Sequence, residues 1–487
     1  MIEIRCKKNK FTYNVYHITK AFFPEEEIEQ TVDEEQGPLV VLKFPGGSCF
    51  SIAPEEVKNV EGSLTEEAAA QIEKRAVTRR VYRFLEGETG GSLAWGTLTG
   101  VRPTKLVMQM IEDGKSFGTI MDFLQNEYFV TRRKAELAYE IACRERELLA
   151  KLERGKEAAR RRFSLYVGIP FCPSVCSYCS FSSSPIDVWR DRVDSYLNAL
   201  IKEIRALGEM AWGKSPDTVY IGGGTPTTLE PEQLRRLLFS VEESFDLSGT
   251  VEFTVEAGRP DSITEEKLLV LKQFPVTRLS INPQTMQQKT LDLVGRRHKV
   301  EEVEEAYACA RRLGFGNINM DLIAGLPGET AEDMRDTLGK IERMAPDSLT
   351  VHSLAIKRAA KFGQEGRSMD LNMEIAQMID DAADSACRMG LKPYYLYRQK
   401  NIAGNFENVG YAKLDKAGIY NILIMEERQT ILAAGAGAST KILLGRPIKT
   451  EKGKEIDIVH VENVKNIADY IERIDEMIKR KEEWLWR

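Results

Sequence analysis

From Phe163 onward the sequence repeats one order: an apolar strand-like run, a loop, a helix. Strand-like runs occur at SLYVGI, DTVYI, VEFTVE, RLSIN, INMDLI and SLTVHS. In the first intervening helix Val193, Tyr196, Leu197, Leu200, Ile201, Ile204 and Leu207 recur at helical spacing and define one apolar face. Strands alternating with helices imply parallel βαβ units. Six units fall short of the eight that close a barrel. The expected fold is therefore α/β, with a partial (β/α)6 barrel over residues 163–390.

The flanks read differently. Residues 1–155 read as an N-terminal α+β domain of unassigned role, with strands at MIEIRC, TYNVY, PLVVLKF and SCFSI. A helix begins at Thr65, with Ala69, Ile72, Ala76 and Val77 near helical spacing, and another spans about Thr131 to Arg154. The polar stretch KLERGKEAARRRF then reads as a linker. Its Arg160, Arg161 and Arg162 suit a solvated segment better than an anionic partner. Residues 391–487 form a mixed C-terminal region on the substrate side, with a Gly/Ala-rich AAGAGAST, a strand-like IDIVHV and a charged helix from about Val464.

Of the 487 residues, 43% are hydrophobic and 29% charged, ordinary values for a soluble globular protein. No apolar run reaches the roughly 18 residues of a membrane span. The start, MIEIRCKKNKFTYNVYH, lacks the apolar core of a signal peptide. A cytoplasmic protein is expected. The net charge of −6 argues against nucleic-acid binding.

Cysteine usage narrows the chemistry. Cys6, Cys49, Cys143, Cys309 and Cys387 are scattered and read as buried small hydrophobes. Cys172, Cys176 and Cys179 crowd into FCPSVCSYCSF, directly after the first barrel strand, where barrel folds place their chemistry. In a reducing compartment such a cluster reads as metal-binding or catalytic, not as a disulfide framework. A zinc site needs a fourth ligand, and the nearest later histidine, His298, is far along the chain. A four-iron four-sulfur (4Fe-4S) cluster with one open iron fits better. An amino acid offering amine and carboxylate could fill the open position.

CxxxCxxC after the first strand of a partial βα barrel resembles the radical S-adenosylmethionine (SAM) enzymes. The resemblance implies that SAM itself completes the site. Further motifs follow in order. IGGGTPTTL (221–229) resembles the loop that holds the SAM amino group, and its glycines would let backbone approach a ligand closely. Glu256 in VEFTVEAG suits a cationic amine or ribose hydroxyls. Gln284 ends RLSINPQ, Arg296 lies in LVGRRHK, and Asp321 in NMDLIAGLPGET. The series is similar to the coproporphyrinogen dehydrogenase-like branch, which holds oxygen-independent coproporphyrinogen III oxidases and related haem chaperones, over about residues 163–440. By that resemblance SAM contacts fall on Tyr166, Tyr178, Gly223, Gly224, Thr225, Glu256, Gln284, Arg296, Asp321 and Ala355, and the cluster on Cys172, Cys176 and Cys179. The LTGVRPTKL segment (98–106) suits either a functional element or a turn entering a helix.

What the resemblance implies is oxidative decarboxylation of coproporphyrinogen III propionates to vinyl groups, giving protoporphyrinogen IX. SAM cleavage would be driven by a low-potential donor of ferredoxin or flavodoxin type. Four propionates call for cations, and Lys357, Arg358, Arg398 and Lys400 flank the later strands. Tyr394, Tyr395 and Tyr397 could pack on pyrrole faces. Two departures bear on this. The dehydrogenase branch carries another cysteine where Phe181 stands, after Ser180. The haem-chaperone branch carries a His-Asn pair where this chain has Glu407, and a tryptophan where it has Ala412. A carboxylate is a poor haem ligand. A haem carrier, or a radical SAM enzyme on another substrate, are the alternatives.

Overall fold

The computed structural model describes residues 1–24, 26–57, 65–100, 102–152, 161–180, 183–354, 369–398, 406–449 and 455–486. Ala355, Lys357, Arg358, Lys400 and Phe181 lie outside them.

At the N-terminus β1 (Ile2–Cys6), β2 (Ile28–Val32), β3 (Val40–Lys43) and β4 (Cys49–Ile52) form a sheet of order β2-β1-β3-β4. Helices α1 (Asn9–Phe22) and α2 (Glu66–Thr89) share its core. The expected strand TYNVY is instead part of α1. Phe11, Val15, Ile18 and Phe22 are its buried apolar positions, so helical spacing wins over β-branched content. The hydroxyl of Thr65 accepts from the Ala68 amide and caps α2. This core ends at Leu93; Trp95 and the buried faces of α3 (Thr104–Glu112), α4 (Phe117–Tyr128) and α5 (Arg132–Ala150) join the barrel core instead.

The six expected barrel strands are β5 (Arg162–Ile169), β8 (Ser215–Gly223), β9 (Glu252–Glu256), β10 (Arg278–Ser280), β11 (Ile318–Ala324) and β12 (Ser348–Ser353). A small parallel pair, β6 (Phe171–Cys172) and β7 (Ser184–Pro185), brackets the cysteine loop. The six pair in sequence order, all parallel. In the first barrel helix, Val193–Met210, the expected apolar face is buried except for half-exposed Ile201. Arg162 is not in a linker. It starts β5, with Nε 2.7 Å from Asp217.

The C-terminal region extends both ends of the sheet. β13 (Lys392–Tyr397) and β14 (Asn408–Ala412) add antiparallel beyond β12. The Gly/Ala-rich stretch carries a seventh parallel strand, β15 (Ile431–Ala434), with Ala433 opposite Tyr166 of β5. β16 (Ser439–Lys449) and β17 (Glu455–Glu462) follow antiparallel. Between β14 and β15 the chain crosses from one end of the parallel run to the other through the helix Ile419–Glu426. The start of that crossing helix packs against the central strands, with Tyr420 stacked on Tyr220 of β8 and on Tyr166 of β5. Its first amides, of Ile419 and Tyr420, donate to the buried Glu252 carboxylate. Beyond its end, Arg102 of the LTGVRPTKL segment donates to the Met425 carbonyl and pairs with Glu427 at 2.6 Å. Nearby, Glu407 of the segment entering β14 accepts from Trp95 Nε1 and from Lys134 Nζ of α5, both at 2.6 Å.

The isolated cysteines divide. Cys6 is buried, but Cys49 and Cys387 are exposed and Cys143 and Cys309 half-buried. Cys49 lies on an edge strand, and Cys143, Cys309 and Cys387 lie on helices, Cys309 packed at the rim of the barrel core. No described helix is long and apolar enough to cross a membrane.

Candidate functional site

The cysteine loop is held by hydrogen bonds from both sides. Ser177 N donates to Val294 O at 3.0 Å, and Ser174 Oγ to Gly295 O at 2.9 Å. The Cys179 amide closes a turn onto Cys176 O. The Cys172 sulfur lies 3.6 Å from Thr225 Oγ1, and burial pushes its thiol up. Arg259, 3% exposed, lies under the loop. Its Nη1 donates to Ser174 O and Oγ at 3.1 Å and reaches the Cys176 sulfur at 3.7 Å.

The glycine loop after β8 meets this loop backbone to backbone. Gly224 N donates to Ile169 O and Thr225 N to Phe171 O, both at 2.7 Å. Gly223 has φ +108, and a Cβ on Gly224 would lie 2.5 Å from Phe171 O. These amides are therefore spent on the protein. The glycines are required here by the neighbouring strand, and only their carbonyls remain to face a ligand.

Glu256 ends β9. Burial lifts its carboxyl to about 7, against the Tyr220 phenol, which donates at 2.5 Å, and the Gly223 amide. Gln284 adopts φ +67, rare for a residue with a side chain. It is held there by its N–H to Asp321 O and by the Ile323 N–H to its own carbonyl, both at 2.9 Å. Burial pushes the Asp321 carboxyl up, but His352, Asn319 and Arg278 outweigh it and the net shift is downward. Arg296 donates to Gly258 O and Asn282 O, and at 3.3 Å to the Tyr178 hydroxyl, tying three loops together.

Among the described residues, every residue expected to hold the cluster or SAM lines one cavity of about 650 Å³. That size suits a small-molecule cofactor. Ala355 lies outside the described residues. Of the three tyrosines expected at a substrate, Tyr395 and Tyr397 line the cavity and stack at 11°, whereas Tyr394, at a β-bulge in β13, packs on Tyr395 at 4.8 Å and is buried without lining the cavity. Arg398 does not reach the cavity. It is buried beside Glu407 and donates to Leu98 O, and burial lowers it to about 10. His298 is fully buried outside the cavity, and that position removes it as a fourth metal ligand beside the cysteines; burial also pushes its imidazole down to about 3.

Sequence reasoning missed Arg259, Arg278, His352, Tyr220, Tyr420 and Lys441, which also line the cavity. Arg278 is 1% exposed, and its Nε has no partner among the described residues. His352 stands between Tyr397 Oη, 3.3 Å from its Nδ1, and Asp321, 3.8 Å from its Nε2. Tyr420 of the crossing helix stacks on Tyr220 at 4.6 Å. Alternation along each strand could have flagged some of these, since they share faces with the residues singled out.

The family model "Radical SAM superfamily" matches residues 166–341. An oxygen-independent coproporphyrinogen-III oxidase-like protein HemZ from Bacillus subtilis is 40% identical over 89% of this chain and 85% of its own length. A heme chaperone HemW from the same organism is 39% identical over 41% of this chain and 52% of its own. A solved structure of coproporphyrinogen III oxidase (HemN) from Escherichia coli shares the fold, with TM-score 0.53 and 23% identity over 68% of this chain and 73% of that one. The chain belongs to the radical SAM superfamily. Membership implies a 4Fe-4S cluster and SAM as cofactors.

The residues present fit that pair. Among the described residues no three His, Cys, Asp or Glu side chains gather as around a single ion. A cluster of four irons takes each thiolate on a different iron, and Cys172, Cys176 and Cys179 line one cavity. The close backbone packing at Gly224 fixes the loop that carries them.

Proposed function

We propose that Cys172, Cys176 and Cys179 hold the cluster and that the residues round the cavity bind SAM, for oxidative decarboxylation of coproporphyrinogen III propionates to vinyl groups. The observation that carries this is the convergence on one cavity of the three cysteines, the residues matched to SAM contacts and a stacked tyrosine pair. When bound, cluster and SAM together supply a carbon radical that removes a hydrogen atom from substrate. Glu256 receives the cationic amine of SAM. Gln284 and Asp321, linked through backbone, orient it. Arg296 holds Tyr178 and the cysteine loop against it. Tyr395 and Tyr397 offer a flat wall to pyrrole rings, and Arg278 and Lys441 offer positive charge to propionates. Electrons come from a ferredoxin- or flavodoxin-type donor in the cytoplasm, in keeping with eight free cysteines.

The haem-carrier reading loses ground on one observation. Glu407, where that branch carries histidine, is buried in an ion pair with Lys134.

The test is anaerobic turnover. Reconstituted protein with SAM, a strong reductant and coproporphyrinogen III should give protoporphyrin and about two 5′-deoxyadenosines per molecule, one for each propionate converted. Deoxyadenosine with unchanged coproporphyrin would keep the SAM chemistry and exclude this substrate. Tight haem binding without either product would favour a carrier. Cys172→Ala, Cys176→Ala and Cys179→Ala should each lose iron and SAM cleavage.

A further inference from the structure

Arg259 lies outside every role assigned so far. It follows β9 in the stretch AGRPD, and its side chain is 3% exposed. A buried guanidinium requires a full set of partners. Asp261 takes one edge of the fork, with Nε–Oδ1 at 2.9 Å and Nη2–Oδ2 at 2.7 Å. The remaining nitrogen, Nη1, turns to the cysteine loop, to Ser174 and to the Cys176 sulfur. The Asp261 side chain is the more exposed of the two, at 20% against 3% for Arg259. The pair is thus oriented. Its cationic end meets the sulfur and its anionic end faces outward.

We propose that the Arg259–Asp261 pair sets the reduction potential of the cluster by presenting a charged donor to Cys176. The inference rests on the cluster assignment above. Reduction adds negative charge to a cluster already rich in thiolates. A cation and a hydrogen bond at one sulfur stabilise that reduced state more than the oxidised one. Hydrogen bonds to sulfur are among the recognised determinants of such potentials. Arg259 raises the potential and so eases the demand on the donor. Asp261, as its counter-charge, works the other way. Arg259 is a positioning and tuning residue, not a group that meets substrate.

The two halves of the pair therefore carry opposite signs, which a merely structural tie does not. The test is a redox titration of the reconstituted full chain without SAM, followed by electron paramagnetic resonance of the reduced cluster, with iron and sulfide content alongside. Arg259→Met should shift the midpoint to more negative potential with iron retained. Arg259→Lys should restore part of the shift. Asp261→Asn should shift it to more positive potential. Coincident midpoints in all variants with intact clusters would overturn the proposal. So would shifts of the same sign in Arg259→Met and Asp261→Asn. If the unsubstituted chain assembled no iron, the cluster assignment itself would fall.

Discussion

At the scale of single residues, the cavity stores its chemistry in groups held away from their ordinary state. Glu256 is the sharpest case. With its carboxyl lifted to about 7 by burial, it is half protonated near neutral pH. A cationic amine docks only on the carboxylate, so binding expels a proton below that value. SAM affinity should rise about fivefold from about pH 6 to about pH 7, as the ionised fraction of the carboxyl does, and fall again above about pH 8 as the α-amine of SAM loses its own proton. Calorimetry across that range checks this, and Glu256→Gln should remove the rise and leave weak affinity. Gln284 holds strain of another kind. Its φ of +67 costs a side chain on the order of 1 kcal/mol. Gln284→Gly should raise the thermal midpoint slightly while weakening SAM binding. A fall in both would show that the side chain also supports the fold. The residues readable from sequence were those fixed in motif order after each strand. Those that escaped, such as Arg259 and Arg278, gain their importance from partners far along the chain, Ser174 and Ser348. No local pattern encodes that.

At the scale of elements, the cysteine loop and the glycine loop behave as one part. The amides of Gly224 and Thr225 are committed to carbonyls on either side of Pro170. Gly224→Ala would force a methyl to within 2.5 Å of Phe171 O. Backbone must then move, and Cys172 is the next residue. We expect this variant to fold, keep its helices by circular dichroism, and hold iron poorly; full iron retention would contradict the coupling. The sequence showed glycines suited to a ligand, while the structure assigns them first to a neighbouring strand. All six barrel strands were legible because each is a compact apolar run. TYNVY was misread because five residues sample too little of a helix to reveal its period. β15 escaped because it is four residues long, Ile431–Ala434, and its second half runs into the small residues of AAGAGAST. They are small because β5 and its neighbours crowd them: a Cβ on Gly435 would lie 2.5 Å from Gly168 O.

At the scale of the whole molecule, the inner face of the barrel strands is covered by chain that follows them in sequence. The crossing helix is fixed at one end by Glu252 and at the other by Arg102. Lys134 and Trp95 hold β14 through Glu407. The sequence marked LTGVRPTKL as unusual without saying why. Its arginine answers to residues 425 and 427, which no spacing rule connects. Lys134→Met should test this arrangement. It leaves Glu407 buried without its hydrogen-bonded cation and with only the more distant Arg398 charge, a loss of up to about 3–5 kcal/mol. The double variant Lys134→Met, Glu407→Gln should recover much of it, read as denaturation midpoint under anaerobic conditions. Equal damage in both would deny the ion pair a role.

One consequence concerns order of assembly. β15 lies beside β5, yet it is synthesised only after almost all of the barrel. Domains fold as they emerge, N-terminal parts first, and non-local pairings come late. Until β15 arrives, β5 is a bare edge, and the three cysteines that follow it stand next to unfinished sheet. Iron delivery should therefore wait for chain completion. Ribosome-stalled chains ending before Ile431 should take up no stable cluster, whereas released full-length chains should, and the interval between is the period in which oxygen can reach the thiols first.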